Sequence, residues 1–199
     1  MKNQNQFLKS GVLLLGFASV FMLLMMIVPS CNNTNTKDTK EVAEDQNDAK
    51  FDNEKEDDAD FLVKAEEINL EEILIGRLAQ TRGTTTRVKE LGKMMETDHT
   101  RASTDLQALA AKKQVTLPTT LTDDGISANK QLMDTESADF DKEYVDMMIS
   151  GHKDAISKFE KASTDADDPE IRNWAASMLP VLRQHLDDLK TDQKQLEKM

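Results

Sequence analysis

Apolar residues recur at steps of three and four along most of this chain, and the pattern divides into four long helices. The first runs from about Asp60 to Arg82 on a stripe of Phe61, Ala65, Ile68, Ile75 and Ala79, with Leu62, Leu74 and Leu78 beside it. The second covers Lys89 to Lys113, with Val88, Leu91, Met95, Ala102, Leu106 and Leu109 in register. A third extends from about Ser137 to Ser163 through Tyr144 or Val145, Met148, Ala155 or Ile156, Phe159 and Ala162. The fourth begins at Pro169 and carries Ile171, Trp174, Met178, Val181, Leu189 and Leu196, with Pro180 expected to kink it. No alternating, strand-like pattern stands out.

Turn chemistry punctuates these helices. Gly83-Thr84 offers a C-terminal cap followed by N-capping threonines. Asp168-Pro169 places a capping carboxylate before a proline at the favoured first helical position. The first and second helices, and the third and fourth, are thus joined by short turns. Gln114 to Asp134 is a longer connection, in which Asp123-Asp124-Gly125 can start a short helix holding Ile126, Leu132 and Met133. The expectation is an all-α, antiparallel four-helix bundle, up-down by default, with room for a crossover between the second and third helices.

Each inner stripe is interrupted once by a polar residue. The stepping from Ile68 to Ile75 passes through Glu72, and that from Met95 to Ala102 through His99. Four residues after Met148 comes His152, and between Val181 and Leu189 falls His185. The chain has 3 histidines, and all of them occupy such seats, on three different helices. Buried polar groups need partners, so these side chains should find one another or an ion. One carboxylate with three imidazoles suits zinc, iron, manganese or copper, and Asp98 beside His99 adds a further candidate ligand. Met95 and Met148, each one turn before a histidine, would suit copper, although methionine at this spacing also simply fills cores. For any single histidine, a structural hydrogen bond in the core is the competing explanation. Counted from the two short turns at ~1.5 Å per residue, Glu72 lies ~16 Å along the bundle, His152 ~20 Å, His99 ~23 Å and His185 ~28 Å. That spread of ~12 Å is wide for one site.

Composition agrees with helices: 7 Gly, 4 Pro, 1 Tyr and 1 Trp in 199 residues. The N-terminus reads separately. Lys2 and Lys9 precede an uncharged apolar run from Gly11 to Val28, the layout of an export signal. The run is also long enough for an uncleaved membrane anchor. Val28-Pro29-Ser30-Cys31 resembles a bacterial lipoprotein signal, apart from Pro29. The resemblance implies cleavage before Cys31, lipidation of this single cysteine, and a domain held at a membrane in the cell envelope, outside the cytoplasm. Residues 1–30 are thus expected as signal, 31–58 as a flexible acidic tether poor in apolar residues, and 59–199 as the bundle. Removing two lysines and no acids with the signal takes the formal net charge from −12 to −14. Such a balance excludes nucleic acid as a partner. A protein partner is not identified by any feature of the chain.

The series Glu72-Ile73-Leu74-Ile75-Gly76-Arg77-Leu78-Ala79, Asp98-His99, Leu117-Pro118, Phe140-Asp141-Lys142-Glu143-Tyr144, His152, Leu179-Pro180 and His185 resembles the bacterial domain-of-unknown-function family 4142. The resemblance spans roughly Phe61 to Leu189. It implies a ferritin-like four-helix bundle, commonly exported and without an established activity, with Glu72, Asp98, His99, His152 and His185 as pattern positions. Di-iron proteins of that fold use two Glu-x-x-His pairs. Glu96-x-x-His99 matches one, but Leu182 stands three before His185, so oxidase chemistry is not inherited from the fold. The lone cysteine, the absence of a Gly-rich phosphate loop and the lack of a strand-turn-helix context leave no named enzyme chemistry. The expected function is metal storage, sensing or stress protection through an inner His/Glu cluster. The alternative is a non-catalytic envelope module whose core histidines are structural.

Overall fold

The structure is a computed structural model, and it describes residues 38–198. The expected signal, residues 1–30, and Cys31, the expected lipidation site, lie outside the described residues. Among the described residues, no helix is long and apolar enough to cross a membrane.

Among the described residues six helices follow in order: α1 Thr39–Asp48, α2 Asn53–Arg82, α3 Thr86–Lys113, α4 Asp123–Asp134, α5 Phe140–Asp165 and α6 Pro169–Leu196. Local chemistry sets most of their starts. Side chains of Asp38, Thr85, Thr122 and Asp168 accept hydrogen bonds from the first free amides of α1, α3, α4 and α6. Gly83 caps α2 in an extended rather than left-handed conformation, while Gln114 ends α3 with φ 61°. Helix α6 runs without interruption through Pro180, which faces solvent.

α2, α3, α5 and α6 form the bundle, and contacts at its ends establish the topology. At one end the α2–α3 turn meets the start of α5. The buried Asp141 carboxylate accepts hydrogen bonds from the Thr84 amide (2.7 Å), the Thr85 amide (2.8 Å) and the Thr84 hydroxyl (2.9 Å). The end of α6 lies at the same end, where Asp192 pairs with Arg87 of α3 at 3.0 Å. At the opposite end, Asp58 of α2 accepts from the amides of Asp167 (2.9 Å) and Asp168 (2.8 Å) in the α5–α6 turn. Lys113 at the end of α3 reaches Asp168 there too. Helices α3 and α5 therefore run parallel on one diagonal, and each helix is antiparallel to both neighbours. The segment containing α4 travels the length of the bundle. Two hairpins joined by one crossover replace the default up-down order, and this is the connectivity of ferritin-like folds.

Residues 39–58, expected to be tether, form α1 and the first part of α2 instead. Their order comes from polar contacts with the crossover rather than from an apolar stripe. The Asn47 side chain, with 0% exposure, both donates to the Thr116 carbonyl (2.9 Å) and accepts from the Thr116 amide (2.8 Å). Thr39 and Asp38 accept from the amides of Thr119 and Asp123.

The core falls into two apolar halves. One, near the α2–α3 turn, contains Ile75, Leu91, Met95, Tyr144, Met148 and Leu189. The other, near the α5–α6 turn, contains Leu62, Leu106, Phe159, Ile171, Ala175 and Leu182. On α6 the buried stripe lies one position beyond the expected one, on Ala175, Leu179 and Leu182, leaving Trp174, Met178 and Val181 half-buried. Of the residues expected to pack on α4, Leu132 is buried, whereas Ile126 and Met133 are exposed. α2 and α3 approach closely at Gly76 and Gly92. A Cβ on Gly92 would lie 2.5 Å from the Gly76 carbonyl oxygen.

Candidate metal centre

A belt of polar side chains crosses the bundle between the two apolar halves. Glu66, Asn69 and Glu72 come from α2, His99 and Ser103 from α3, His152 from α5 and His185 from α6, and all are buried. The crossover brings the histidines level. With α5 starting and α6 ending at the α2–α3 turn, all four expected positions lie ~16–22 Å from that end. The wider spread expected from the sequence came from measuring both short turns as if they shared one end.

The three imidazoles converge. Ring centroids are 5.3 Å apart for His152 and His185, 5.6 Å for His99 and His185, and 5.9 Å for His99 and His152. One ring nitrogen from each lies within 4.8 Å of the others, so the group could hold a metal ion.

Hydrogen bonds determine which nitrogens are free. His99 Nδ1 is 3.0 Å from Asn69 Oδ1, an oxygen that only accepts, so Nδ1 carries the proton. The same reasoning puts the His152 proton on Nδ1, which donates to the Met148 carbonyl at 2.9 Å. His185 donates from Nε2 to Asp98 Oδ2 at 3.1 Å. Each ring is thereby anchored by one nitrogen, and the other is left without its own proton: His99 Nε2, His152 Nε2 and His185 Nδ1. His99 Nε2 is buried with no hydrogen-bond partner. His152 Nε2 and His185 Nδ1 face each other at 3.2 Å. Two bare lone pairs at that distance repel unless a proton or a cation lies between them. Nitrogens bound to one tetrahedral zinc at ~2.0–2.1 Å would lie ~3.3 Å apart.

Burial disfavours charge on His99, His152 and Glu72. Burial, then the neighbouring His152 and His185, holds His99 well below the usual imidazole range. Burial and His185 bring His152 down to about 4, against the opposing pull of the Met148 carbonyl. Glu72 is pushed well up by burial, with Glu71 adding to the effect. Its Oε1 is 3.4 Å from His152 Nδ1, so this is a contact between neutral groups rather than an ion pair. Its Oε2 is buried without a partner.

Of the residues singled out in the sequence, the three histidines come together with one ring nitrogen from each within 4.8 Å of the others, and His152 and His185 meet through their free nitrogens. Asp98 and Glu72 lie against the outer nitrogens of His185 and His152. Glu96 turns away altogether. Hydrogen bonds from Gln80, Arg77 and Lys93 hold it at about 2, on the α2–α3 surface. The apparent Glu-x-x-His pair is therefore not a ligand pair, and no carboxylate bridges the histidines as a di-iron centre requires. Met95 and Met148 belong to the apolar core. Asn69 and Glu66 escaped the sequence reading. Asn69 follows Ala65 by four and precedes Glu72 by three, so the helical step did contain the signal. Glu66 accepts from the Ser103 hydroxyl at 2.7 Å and from Gln107 at 2.9 Å, one turn from the histidines.

Residues 40–191 match the family described as a domain of unknown function, DUF4142. The chain belongs to the DUF4142 family. No curated protein and no solved structure matches it. In this DUF4142 chain the matched region contains α2 to α5 entire, most of α1 and α6, and all three histidines.

Proposed function

We propose that this protein binds one transition-metal ion in its core through His99 Nε2, His152 Nε2 and His185 Nδ1, leaving further coordination positions open. One observation carries the proposal: three buried imidazoles, each anchored by one nitrogen, converge with a ring nitrogen from each within 4.8 Å of the others. A metal-bound histidine typically donates its other N–H to a carbonyl or carboxylate, and here Met148, Asn69 and Asp98 supply those acceptors. Without an ion, the unpartnered His99 nitrogen alone costs ~1–3 kcal/mol. An all-imidazole set favours Zn²⁺ or Cu²⁺ over manganese, which prefers oxygen ligands. Asp98 and Glu72 act by holding rings, not by binding the ion. Storage, sensing or protection against free metal are the roles such a site serves, and no catalytic role is assigned.

A second reading has its own observation. The 3.2 Å contact between His152 and His185 is also what a shared proton would make. Turning the Asn69 amide over would place a donor on His99 Nδ1 and close that ring to metal. The histidines would then be a structural network.

The test is calorimetric titration of the full-length chain, purified in detergent without a histidine tag, with Zn²⁺, Cu²⁺, Fe²⁺ and Mn²⁺ separately. Binding of one ion per chain, lost in His99→Ala/His152→Ala, supports the metal site. No binding, with the variant merely melting lower, leaves the structural network.

We also propose that lipidation at Cys31 holds the domain at a membrane in the cell envelope. The apolar run followed by Ser30-Cys31 supports this. Loss of membrane association in Cys31→Ser cells is the expected result; unchanged association would favour an uncleaved anchor.

A further inference from the structure

A pocket of about 210 Å³ opens between α2, α4 and α5, and Glu72 is among its lining residues. Glu67, Glu71, Asp124 and Asp154 also line it, against Lys64 and Lys158. Lys64 is already paired with Glu67 at 2.9 Å, so Glu71, Asp124 and Asp154 outnumber Lys158 and leave the pocket negative. Glu72 is only 6% exposed, and its Oε2 has no partner. Its Oε1 touches His152 Nδ1 at 3.4 Å, and the same ring presents Nε2 to His185 at 3.2 Å. His152 thus contacts both the pocket floor and the histidine group. The opposite face, between α3 and α6, reaches the histidines through Asp98. There both Asp98 oxygens are engaged, Oδ1 by the Arg101 guanidinium at 2.9 Å and Oδ2 by His185 at 3.1 Å, which leaves no free carboxylate for an approaching cation.

We propose that a divalent cation reaches the histidines through this acidic pocket, and that Glu72 at its floor first receives it, releasing its proton to the water in the pocket as the cation binds. The inference rests on the metal site proposed above and adds its uptake route. Carboxylates lining a cleft concentrate cations and raise association rates by ~10–10³-fold. Those of Glu71 and Asp154 make no recorded contact with a histidine, so they can be changed without disturbing the ligands. Gly151 lies at the rim and is exposed. A Cβ built there meets only Glu72 Oε1, at 3.7 Å, so a larger side chain can cover the opening without a clash.

Stopped-flow absorbance of Co²⁺ uptake by the full-length chain tests the route. Glu71→Gln/Asp154→Asn and, separately, Gly151→Leu should each slow uptake about tenfold while reaching the wild-type final absorbance. The matched pair Asp105→Asn/Asp187→Asn removes two exposed acids from α3 and α6 and should stay within about twofold of wild type. Wild-type rates in both pocket variants, with the site still filling, would overturn the route and leave the metal site standing. A wild-type chain that takes up no Co²⁺ would overturn both.

Discussion

Replacing His99 and Asn69 together should make the metal-free protein more stable while removing its response to metal. His99 Nε2 and Asn69 Nδ2 are both buried and unpartnered, and each costs ~1–3 kcal/mol. The pair makes one neutral hydrogen bond, at 3.0 Å, with a net worth of ~1 kcal/mol. In Asn69→Ala/His99→Leu, a smaller residue faces a slightly bulkier one, so total volume falls only a little. Both orphaned nitrogens disappear with the bond that joined the residues, and alanine is the better helix former by ~0.5 kcal/mol. The balance is a gain of ~1.5–5.5 kcal/mol, or a melting temperature higher by roughly 3–20 °C for a domain of this size. His99→Leu alone should gain nothing, because it leaves both Asn69 amide atoms without partners. The assay is urea unfolding and calorimetry after dialysis against EDTA, repeated with Zn²⁺. Wild type should gain ~4 kcal/mol at a thousandfold excess over Kd, and the double variant nothing. A double variant less stable than wild type by more than ~1 kcal/mol, with an unchanged m value, would refute the reasoning. Those nitrogens would then be satisfied in the metal-free protein rather than awaiting an ion.

Three further outcomes follow from the geometry. His152, lowered to about 4 from an ordinary 6.5, disfavours protonation in the fold, so the stability it contributes is present above pH 6.5 and lost as pH falls through 4. Metal-free unfolding from pH 7 to 4 should show a loss on the order of 3 kcal/mol from this group, with His99 adding a loss that starts in the same window and continues to lower pH, and the slope should become shallower, without vanishing, in His152→Leu. Asp141→Ala removes three hydrogen bonds tying the α2–α3 turn to α5 and should cost ~2–4 kcal/mol in urea unfolding, since the acceptor is charged. Burial alone would raise this carboxylate, but bonds from Thr84 and Thr85 hold it lower, so the wild-type advantage should persist above pH 4 and fade below it. Gly92→Ala would press a Cβ against the Gly76 carbonyl oxygen, forcing α2 and α3 apart at a cost of ~1–3 kcal/mol, measurable as a lower urea midpoint.

Much of this protein was legible one residue at a time. The step of three and four located α2, α3, α5 and α6, because helices bury one face and that face must be apolar. It also showed Glu72, His99, His152 and His185 to be inward seats, since an interruption in a stripe points where the stripe points. Helix α1 was not legible. It is held by Asn47 and neighbouring polar groups that satisfy the backbone of residues 116–123, partners ~70–85 positions away. Whether the histidines met was equally hidden, because their height depends on which helix ends lie side by side. The crossover past α4 decides that, placing the start of α5 against Thr84 and Thr85. Finally, histidine as a residue type leaves two nitrogens to choose from. Only the tertiary partners Asn69, Met148 and Asp98 choose between them, because an acceptor on one nitrogen draws the ring's proton there and leaves the other bare.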